Sequence, residues 1–249
     1  MNIGLYQSAA SLSALERWQD AVAQNITSAQ TDGFRKRTVE FSSEAAGKWN
    51  VDPGSQAGSG DEVQALFTKT TSGINFITGE TEPTGRDLDV AIQGQGFFEV
   101  KQPDGTHAVT RSGDFHVRPD RTLVTAGNCE VLTENGSPIT LTPDGGNVTI
   151  NQDGTVAQGS TLLGKLAVQK FSNPSALMPS AGGLFIPGAG AGMTPVDKPE
   201  LMQGYLEQSN VQPLREMVDL VVISRAYEAN QKIITTTDDQ MQKTLDALG

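Results

Sequence analysis

Apolar positions near the amino end of the chain repeat with a helical period. Between Ile3 and Thr27 there is no proline and only one glycine, Gly4, so little in this stretch opposes a helix. The apolar seam, with successive spacings of 7, 3, 7 and 4 residues, consists of Leu5, Leu12, Leu15, Val22 and Ile26. This spacing predicts an amphipathic helix that ends before the turn-forming sequence Thr31-Asp32-Gly33.

A second and longer helical pattern follows Pro213. Proline suits the first turn of a helix, and no further proline or glycine occurs before Gly249. Steps of 3 and 4 residues define a mostly apolar seam that consists of Met217, Leu220, Ser224, Tyr227, Gln231, Ile234, Asp238, Met241, Leu245 and Leu248. A helix of about 35 residues extends about 50 Å, which is long for a compact domain. We therefore expect the two helices to pair as a coiled coil.

The middle of the chain carries short runs of β-branched and aromatic residues. These runs are Leu88–Ile92, Phe97–Val100, Thr106–Thr110, Leu123–Thr125, Val148–Ile150 and Leu163–Phe171. They are separated by turn sequences such as Asp104-Gly105, Asn135-Gly136 and Asp153-Gly154. Short strands with Asx-Gly turns are typical of an antiparallel β domain.

Two stretches rich in small residues, Val51–Gly60 and Pro187–Met193, have the composition of connectors. We predict an α+β fold with a mainly antiparallel β central domain and long terminal helices. Its expected parts are a discontinuous helical domain (1–30 and 206–249), a connector region (31–83 and 187–205) and a β-rich domain (84–186).

Composition narrows the classes of function. With 29 acidic and 18 basic residues, the chain has a formal charge of −11, which opposes binding to nucleic acid and to anionic lipid. Cys129 is the only cysteine, so neither an intrachain disulfide nor a cysteine-based zinc site can form. No apolar stretch approaches the length of a membrane span, so we expect no membrane insertion. The first charged residues are Glu16 and Arg17, so the start lacks the basic region of a secretory signal; alone, this favours a cytoplasmic protein.

The candidate catalytic and ligand-binding residues favour structural roles. The Gly-x-Gly of Gly94 and Gly96 leads into a β run, whereas a phosphate loop opens a helix. His107 and His116 are the only histidines, and with Asp114 they lack a strong metal-ligand spacing. We predict no enzymatic activity, catalytic residue, cofactor, metal or small-molecule substrate.

Asp87 and Asp89 lie two residues apart, on the same face of a predicted strand. Paired carboxylates can act as acid and base when they flank a substrate cleft. Arg86 adjoins them and no aromatic sugar platform is evident, so a turn with a charged rim is the favoured interpretation.

Three separated segments, in matching order, resemble the flagellar hook and basal-body rod family of bacteria. The first is Asn25–Arg35, which contains Asn25, Thr31, Gly33 and Phe34. The second, Thr84–Phe98, contains Gly94, Gly96 and Phe97 and is followed by Thr110–Phe115. The third comprises Leu206–Val211, with Asn210, and Arg225–Asn230, with Tyr227. Gln24 and Ser28 depart mildly from the family pattern, in which Asn and Ala are common.

The resemblance implies that this chain is a structural subunit of the rod. Members of the family pair their terminal helices into the inner layer of a helical tube, and their central β domain forms the outer layer. They leave the cell through the flagellar type III export apparatus without a cleaved signal peptide, which replaces the cytoplasmic expectation with the periplasmic rod. The chain length suggests a rod rather than a hook subunit, and the third segment favours the distal over the proximal type.

We therefore expect the chain to assemble with copies of itself and with neighbouring rod and hook proteins. The predicted interface consists of Leu5, Leu12, Leu15, Val22, Ile26, Leu220, Tyr227, Ile234, Met241 and Leu245. Three alternatives remain: a soluble monomer with a helical hairpin, a β module for cell-wall glycan on a helical stalk, and a wall-degrading enzyme that uses Asp87 and Asp89.

Overall fold

A computed structural model of the chain describes residues 3–49, 63–143 and 145–248. The described residues form two α-helices, α1 (Ile3–Thr27, 25 residues) and α2 (Pro213–Leu248, 36 residues). Both helices predicted from the apolar period are confirmed. Helix α1 ends before Gly33, whose φ of +68° lies in the left-handed region that favours glycine.

The same described ranges contain eighteen β-strands. The first nine are β1 (Arg37–Trp49), β2 (Val63–Ile74), β3 (Thr81–Pro83), β4 (Val90–Gln93), β5 (Phe97–Lys101), β6 (His107–Thr110), β7 (Phe115–Val117), β8 (Leu123–Thr125) and β9 (Glu130–Val131). The others are β10 (Val148–Ile150), β11 (Thr155–Gln158), β12 (Thr161–Lys165), β13 (Val168–Phe171), β14 (Leu177–Pro179), β15 (Leu184–Pro187), β16 (Met193–Pro195), β17 (Glu200–Gln203) and β18 (Tyr205–Glu207).

Every β run predicted from the sequence overlaps a strand, so the α+β class is confirmed. The run Leu163–Phe171 is divided between β12, which ends at Lys165, and β13, which starts at Val168. The run Leu88–Ile92 begins too early: Asp87 and Leu88 lie in a turn, and β4 starts at Val90. The prediction that Asp87 and Asp89 lie on the same strand face is therefore wrong.

The chain divides into two compact units. The first, here called the helical unit, lies within Met1–Ile26, Arg37–Gly73 and Gln212–Gly249 and contains α1, α2 and the paired strands β1 and β2. Its buried cluster joins Leu15 and Val22 of α1 to Ile223 of α2. Strands β1 and β2 lie within the range predicted as a connector. Their signal was the alternation of Val39 and Phe41 and the β-branched residues near Thr70.

The second unit, here called the β unit, contains Thr27–Lys36 and Ile74–Val211. Its largest sheet has nine strands, with the path β14-β15-β6-β5-β9-β8-β7, and β13 pairs with β5 and β16. A three-stranded sheet (β10-β11-β12) and the pairs β17-β4 and β18-β3 complete it. All these pairings with a described register are antiparallel, as predicted.

Two apolar clusters fill the β unit. The larger includes Phe98, Phe115 and Leu166, each fully buried, and the smaller gathers Phe97 and Phe185. The glycine-rich stretch 187–193, expected to be a connector, instead joins β15 and β16 of one sheet, and Ala191 within it is buried. The other expected connector, Val51–Gly60, lies outside the described residues.

Candidate assembly surfaces

The first turns of α2 carry an exposed apolar face. Five side chains at spacings of 3, 1, 3 and 1 residues are 48 to 77 % exposed: Leu214, Met217, Val218, Val221 and Val222. Residues at this spacing lie on one side of a helix. We call these five residues the apolar face of α2. Exposed contiguous apolar surface of this kind marks an interaction site more often than isolated apolar residues do.

The opposite side of α2 packs within the helical unit. Ile223 is 1 % exposed and contacts Leu15 and Val22, and Trp18, Ile26 and Tyr227 pack around them. The core of the unit therefore uses one side of α2 and leaves the apolar face uncovered. The sequence pattern could not separate these two sides, because both carry apolar residues in the first turns.

The predicted interface residues occupy three kinds of position. Leu15, Val22, Ile26 and Tyr227 meet in the cluster around Ile223. Half-buried positions are Leu12 and Ile234, and exposed ones are Leu220 and Met241. The side chains of Leu5 and Leu245 lie outside the described part of the structure.

Asn25 joins three elements of the helical unit. Its Nδ2 donates to the carbonyl oxygen of Arg37 at 2.9 Å and to Oε2 of Glu216 at 2.9 Å. Its Oδ1 accepts from the backbone N–H of Arg37 at 2.8 Å. Asn25 and Glu216 are both fully buried, so these bonds replace those that water would make. Asn25 thus ties the end of α1 to the start of β1 and the first turn of α2.

A buried charged cluster lies in the β unit. Glu207 bridges two guanidinium groups: its Oε1 lies 2.6 Å from Nη1 of Arg35, and its Oε2 lies 2.6 Å from Nη2 and 2.8 Å from Nε of Arg111. Arg111 also donates to the carbonyl oxygens of Gly96 and Ile92. Burial lowers the pKa of Arg111, and the charge of Glu207 opposes that shift. The three side chains, each at most 2 % exposed, retain one net positive charge.

The motif of Thr31, Gly33 and Phe34 packs against the buried charged cluster. The backbone N–H of Gly33 donates to the carbonyl oxygen of Glu207 at 2.6 Å, and the backbone N–H of Phe34 donates to the carbonyl oxygen of Thr31. A Cβ at Gly33 would clash with the backbone of Arg111. Phe34 is buried, and Thr31 is half-buried.

Asn210 performs a similar joining role in the β unit. Its Oδ1 accepts from the backbone N–H of Lys36 at 2.7 Å, and its Nδ2 donates to the carbonyl oxygens of Asn75 and Ile77. One side chain thus holds the segment after Phe34 beside the segment that follows β2. The remaining residue from the third motif, Arg225, is exposed on α2.

The Gly-x-Gly sequence connects β4 to β5. Gly94 has a φ of +89°, which suits a turn, and the next residues enter β5 rather than a helix. Phe97 at the start of β5 packs against the rings of Phe76, Phe171 and Phe185, with ring centroids 5.6–6.1 Å apart. The arrangement places an aromatic cluster beside the turn and offers no helix terminus for a phosphate.

The other candidate chemical residues are dispersed. His107 lies 3.0 Å from Glu99, while His116 lies 3.7 Å from Asp114, and both imidazoles are about half exposed or more. Asp89 is buried and accepts a 2.6 Å hydrogen bond from Thr84, whereas Asp87 is exposed. Within the described ranges, no group of three or more His, Cys, Asp or Glu side chains could hold a metal ion. Neither described helix is long and apolar enough to cross a membrane.

Comparisons with known proteins identify the family of the chain. Residues 202–247 match the family described as flagellar basal body rod FlgEFG protein C-terminal, and residues 91–158 match the flagellar hook protein FlgE/F/G D1 domain. The chain is 33 % identical to the flagellar basal-body rod protein FlgF of Caulobacter vibrioides, over 100 % of this chain and 99 % of that protein.

Rod proteins with another designation match at similar identity. The chain is 33 % identical to the flagellar basal-body rod protein FlgG of Borreliella burgdorferi, over 95 % of each chain. It is 32 % identical to the FlgG of Bacillus subtilis, over 96 % of each chain. These relatives carry the names of basal-body rod proteins rather than of enzymes. The chain therefore belongs to the family of flagellar basal-body rod proteins and is a structural subunit of the rod.

Proposed function

We propose that this subunit assembles with copies of itself, and with neighbouring rod and hook proteins, into a helical tube through its terminal helices. The observation that carries the proposal is the apolar face of α2, which the subunit's own core leaves uncovered. A contact between this face and a different surface of the next copy is heterologous. Heterologous contacts that do not close into a ring generate helical polymers.

The size of the apolar face favours many weak contacts over one strong contact. Fully burying a Val, Leu or Met side chain contributes about 1.5–3 kcal/mol. The five side chains are about half exposed, so covering them contributes on the order of 5 kcal/mol. Association costs about 4–15 kcal/mol in lost translational and rotational freedom. One such contact is therefore marginal, and stability requires each subunit to touch several neighbours, as it does in a tube wall.

Pairing of α1 with α2 would also contribute to assembly through the terminal helices. The cluster of Leu15, Val22 and Ile223 provides a starting contact between α1 and α2. We propose that assembly extends this contact into a coiled-coil seam that includes Leu5, Leu12, Ile234, Met241 and Leu245. The β domain, residues 84–186, would form the outer layer of the tube.

A double substitution on the apolar face tests the proposal. The substitutions Val218→Lys and Val222→Lys maintain helix propensity but place positive charge on the apolar face. A matched control carries two lysines at exposed polar positions of the same helix, Thr235→Lys and Gln242→Lys. Each variant replaces the wild-type gene in the source organism, and mass spectrometry of washed hook–basal bodies measures its amount.

We expect the control to be incorporated at wild-type stoichiometry and the apolar-face variant to be lost from basal bodies. Circular dichroism of both purified variants should match that of the wild type, because both sites are exposed. Equal incorporation of the two variants would refute the assembly surface. Absence of the wild-type chain itself from intact basal bodies would refute the rod function.

We also propose that the subunit reaches the periplasmic rod through the flagellar type III export apparatus without cleavage of a signal peptide. The support is family membership. The mass of the chain recovered from basal bodies tests it. A chain that retains its first residues agrees with the proposal, and a chain shortened at its amino end contradicts it.

A further inference from the structure

A cleft in the β unit lies against the buried charged cluster. Its volume is about 370 Å³, within the range of small-ligand sites. The wall combines cationic and aromatic side chains, namely Arg35, Arg111, Lys170, Phe76, Phe97 and Phe171. We call this cavity the arginine cleft. The family role of the subunit does not account for it.

Arg35 is the member of the buried charged cluster whose hydrogen-bond donors are not all paired. Among the described residues, its hydrogen bonds all come from Nη1, which reaches the carbonyl oxygen of Ile77 at 2.9 Å and Oε1 of Glu207. Its buried Nε has no acceptor. By contrast, Arg111 directs its Nε and Nη2 to the same carboxylate oxygen of Glu207. A buried donor without an acceptor is unfavourable, so a group that supplies the acceptor would be stabilised there.

The chemistry of the missing acceptor follows from geometry and charge. The Nε–Nη2 edge of a guanidinium matches the two oxygens of a carboxylate. Glu207 neutralises only one of its two arginine partners, and exposed Lys170 adds a further positive charge to the wall. The rings of Phe76, Phe97 and Phe171 suit an apolar segment attached to the carboxylate.

We propose that the arginine cleft binds a carboxylate through Arg35, whose buried Nε lacks an acceptor, and that in the rod an acidic side chain of a second copy supplies it. The formal charge of −11 makes acidic side chains abundant on neighbouring copies. The choice of a second copy as the source rests on the proposed assembly. The carboxylate specificity of the cleft does not.

A titration of the purified full chain tests the carboxylate specificity. Amide NMR shifts of Gly94, Gly96 and Ser172 are followed as 3-phenylpropionate is added, and 3-phenylpropionamide serves as the neutral probe of the same shape. We expect saturable shifts with the acid and at least a tenfold weaker response with the amide, because the charged hydrogen bonds are lost. Equal responses to both probes would overturn the proposal.

Two variants locate the binding group. Arg35→Lys keeps the charge but removes the planar fork, and we expect at least a tenfold loss of affinity. Lys170→Gln changes an exposed residue, so folding should be retained, and affinity should fall severalfold. Lys198→Gln is the control, because Lys198 is exposed and outside the cleft. Unchanged affinity in Lys170→Gln, together with unchanged affinity in any folded Arg35→Lys protein, would refute the site.

Carbodiimide cross-linking of purified basal bodies identifies the source of the carboxylate. A linkage from Lys170 to an acidic residue of another copy of this chain, absent in Lys170→Gln, is expected. A linkage to a different rod protein would refute the second-copy assignment, as would no linkage alongside a positive titration, which indicates a free carboxylate. A chain missing from basal bodies would contradict the assembly proposal, while the titration result would stand independently.

Discussion

Replacing Glu207 by glutamine would remove the only carboxylate that pairs with both buried arginines among the described residues. The new side chain has nearly the same shape, and its oxygen can still accept the 2.9 Å bond from the backbone N–H of Gly79. The amide nitrogen would then face donors of Arg111 or Arg35 instead of accepting from them. Two uncompensated guanidinium charges would remain in a site where each side chain is 2 % exposed.

The expected loss of stability is large. Breaking a buried ion pair by removing one partner costs about 3–5 kcal/mol, because the remaining charge is left desolvated. For a domain of roughly 150–250 residues, each kcal/mol lowers Tm by about 2–4 °C. We therefore expect Glu207→Gln to lower the Tm of the β unit by on the order of 10 °C.

Differential scanning calorimetry of the monomer measures this change, because it resolves separate transitions if the two units unfold separately. Glu80→Gln is the matched control, since Glu80 is exposed and its change should shift Tm by little. A second variant that adds Arg35→Met to Glu207→Gln removes one excess charge, so its destabilisation should be smaller than the sum of the single changes. A Tm loss in Glu207→Gln no larger than that of Glu80→Gln would refute the reasoning.

Three further predictions concern the β unit. Gly33→Ala should lower stability by at least about 1 kcal/mol, measured by urea unfolding, because φ is +68° and the new Cβ meets the Arg111 backbone; wild-type stability would contradict this. Burial, followed by the nearby charges of other carboxylates, raises the pKa of Asp32 above its usual 3.8. The folded state therefore loses stability as the pH rises from 3.8 through the raised pKa, because the unfolded chain ionises more easily. Asp32→Asn should therefore raise Tm at pH 7 and lose this advantage near pH 3, and a gain independent of pH would contradict the assignment. Burial also raises the pKa of the Cys129 thiol, so Ellman's reagent should modify it only after unfolding, and rapid modification of the folded chain would count against that placement.

The local elements followed from the sequence because their causes are local. The 25 residues of α1 contain no proline, and α2 follows a proline suited to its first turn. The β runs were visible because Asx-Gly turns such as Asp153-Gly154 interrupt them. The long strands β1 and β2 were missed because the small-residue stretch near them, 51–60, suggested a connector.

The tertiary structure alone decided which surfaces are free and which charges meet. In α2, both the side that carries Ile223 and the opposite side, the apolar face, consist of apolar residues. Only the packing of Ile223 against Leu15 and Val22 determines which side is covered. Arg35, Arg111 and Glu207 are far apart in the chain, and nothing local signals that they share one buried site. The sequence by itself determined the two helices, the central β runs and the family, since periodicity, turns and motifs act over a few residues. The apolar face and the arginine cleft depend on contacts between distant segments, which no local pattern encodes.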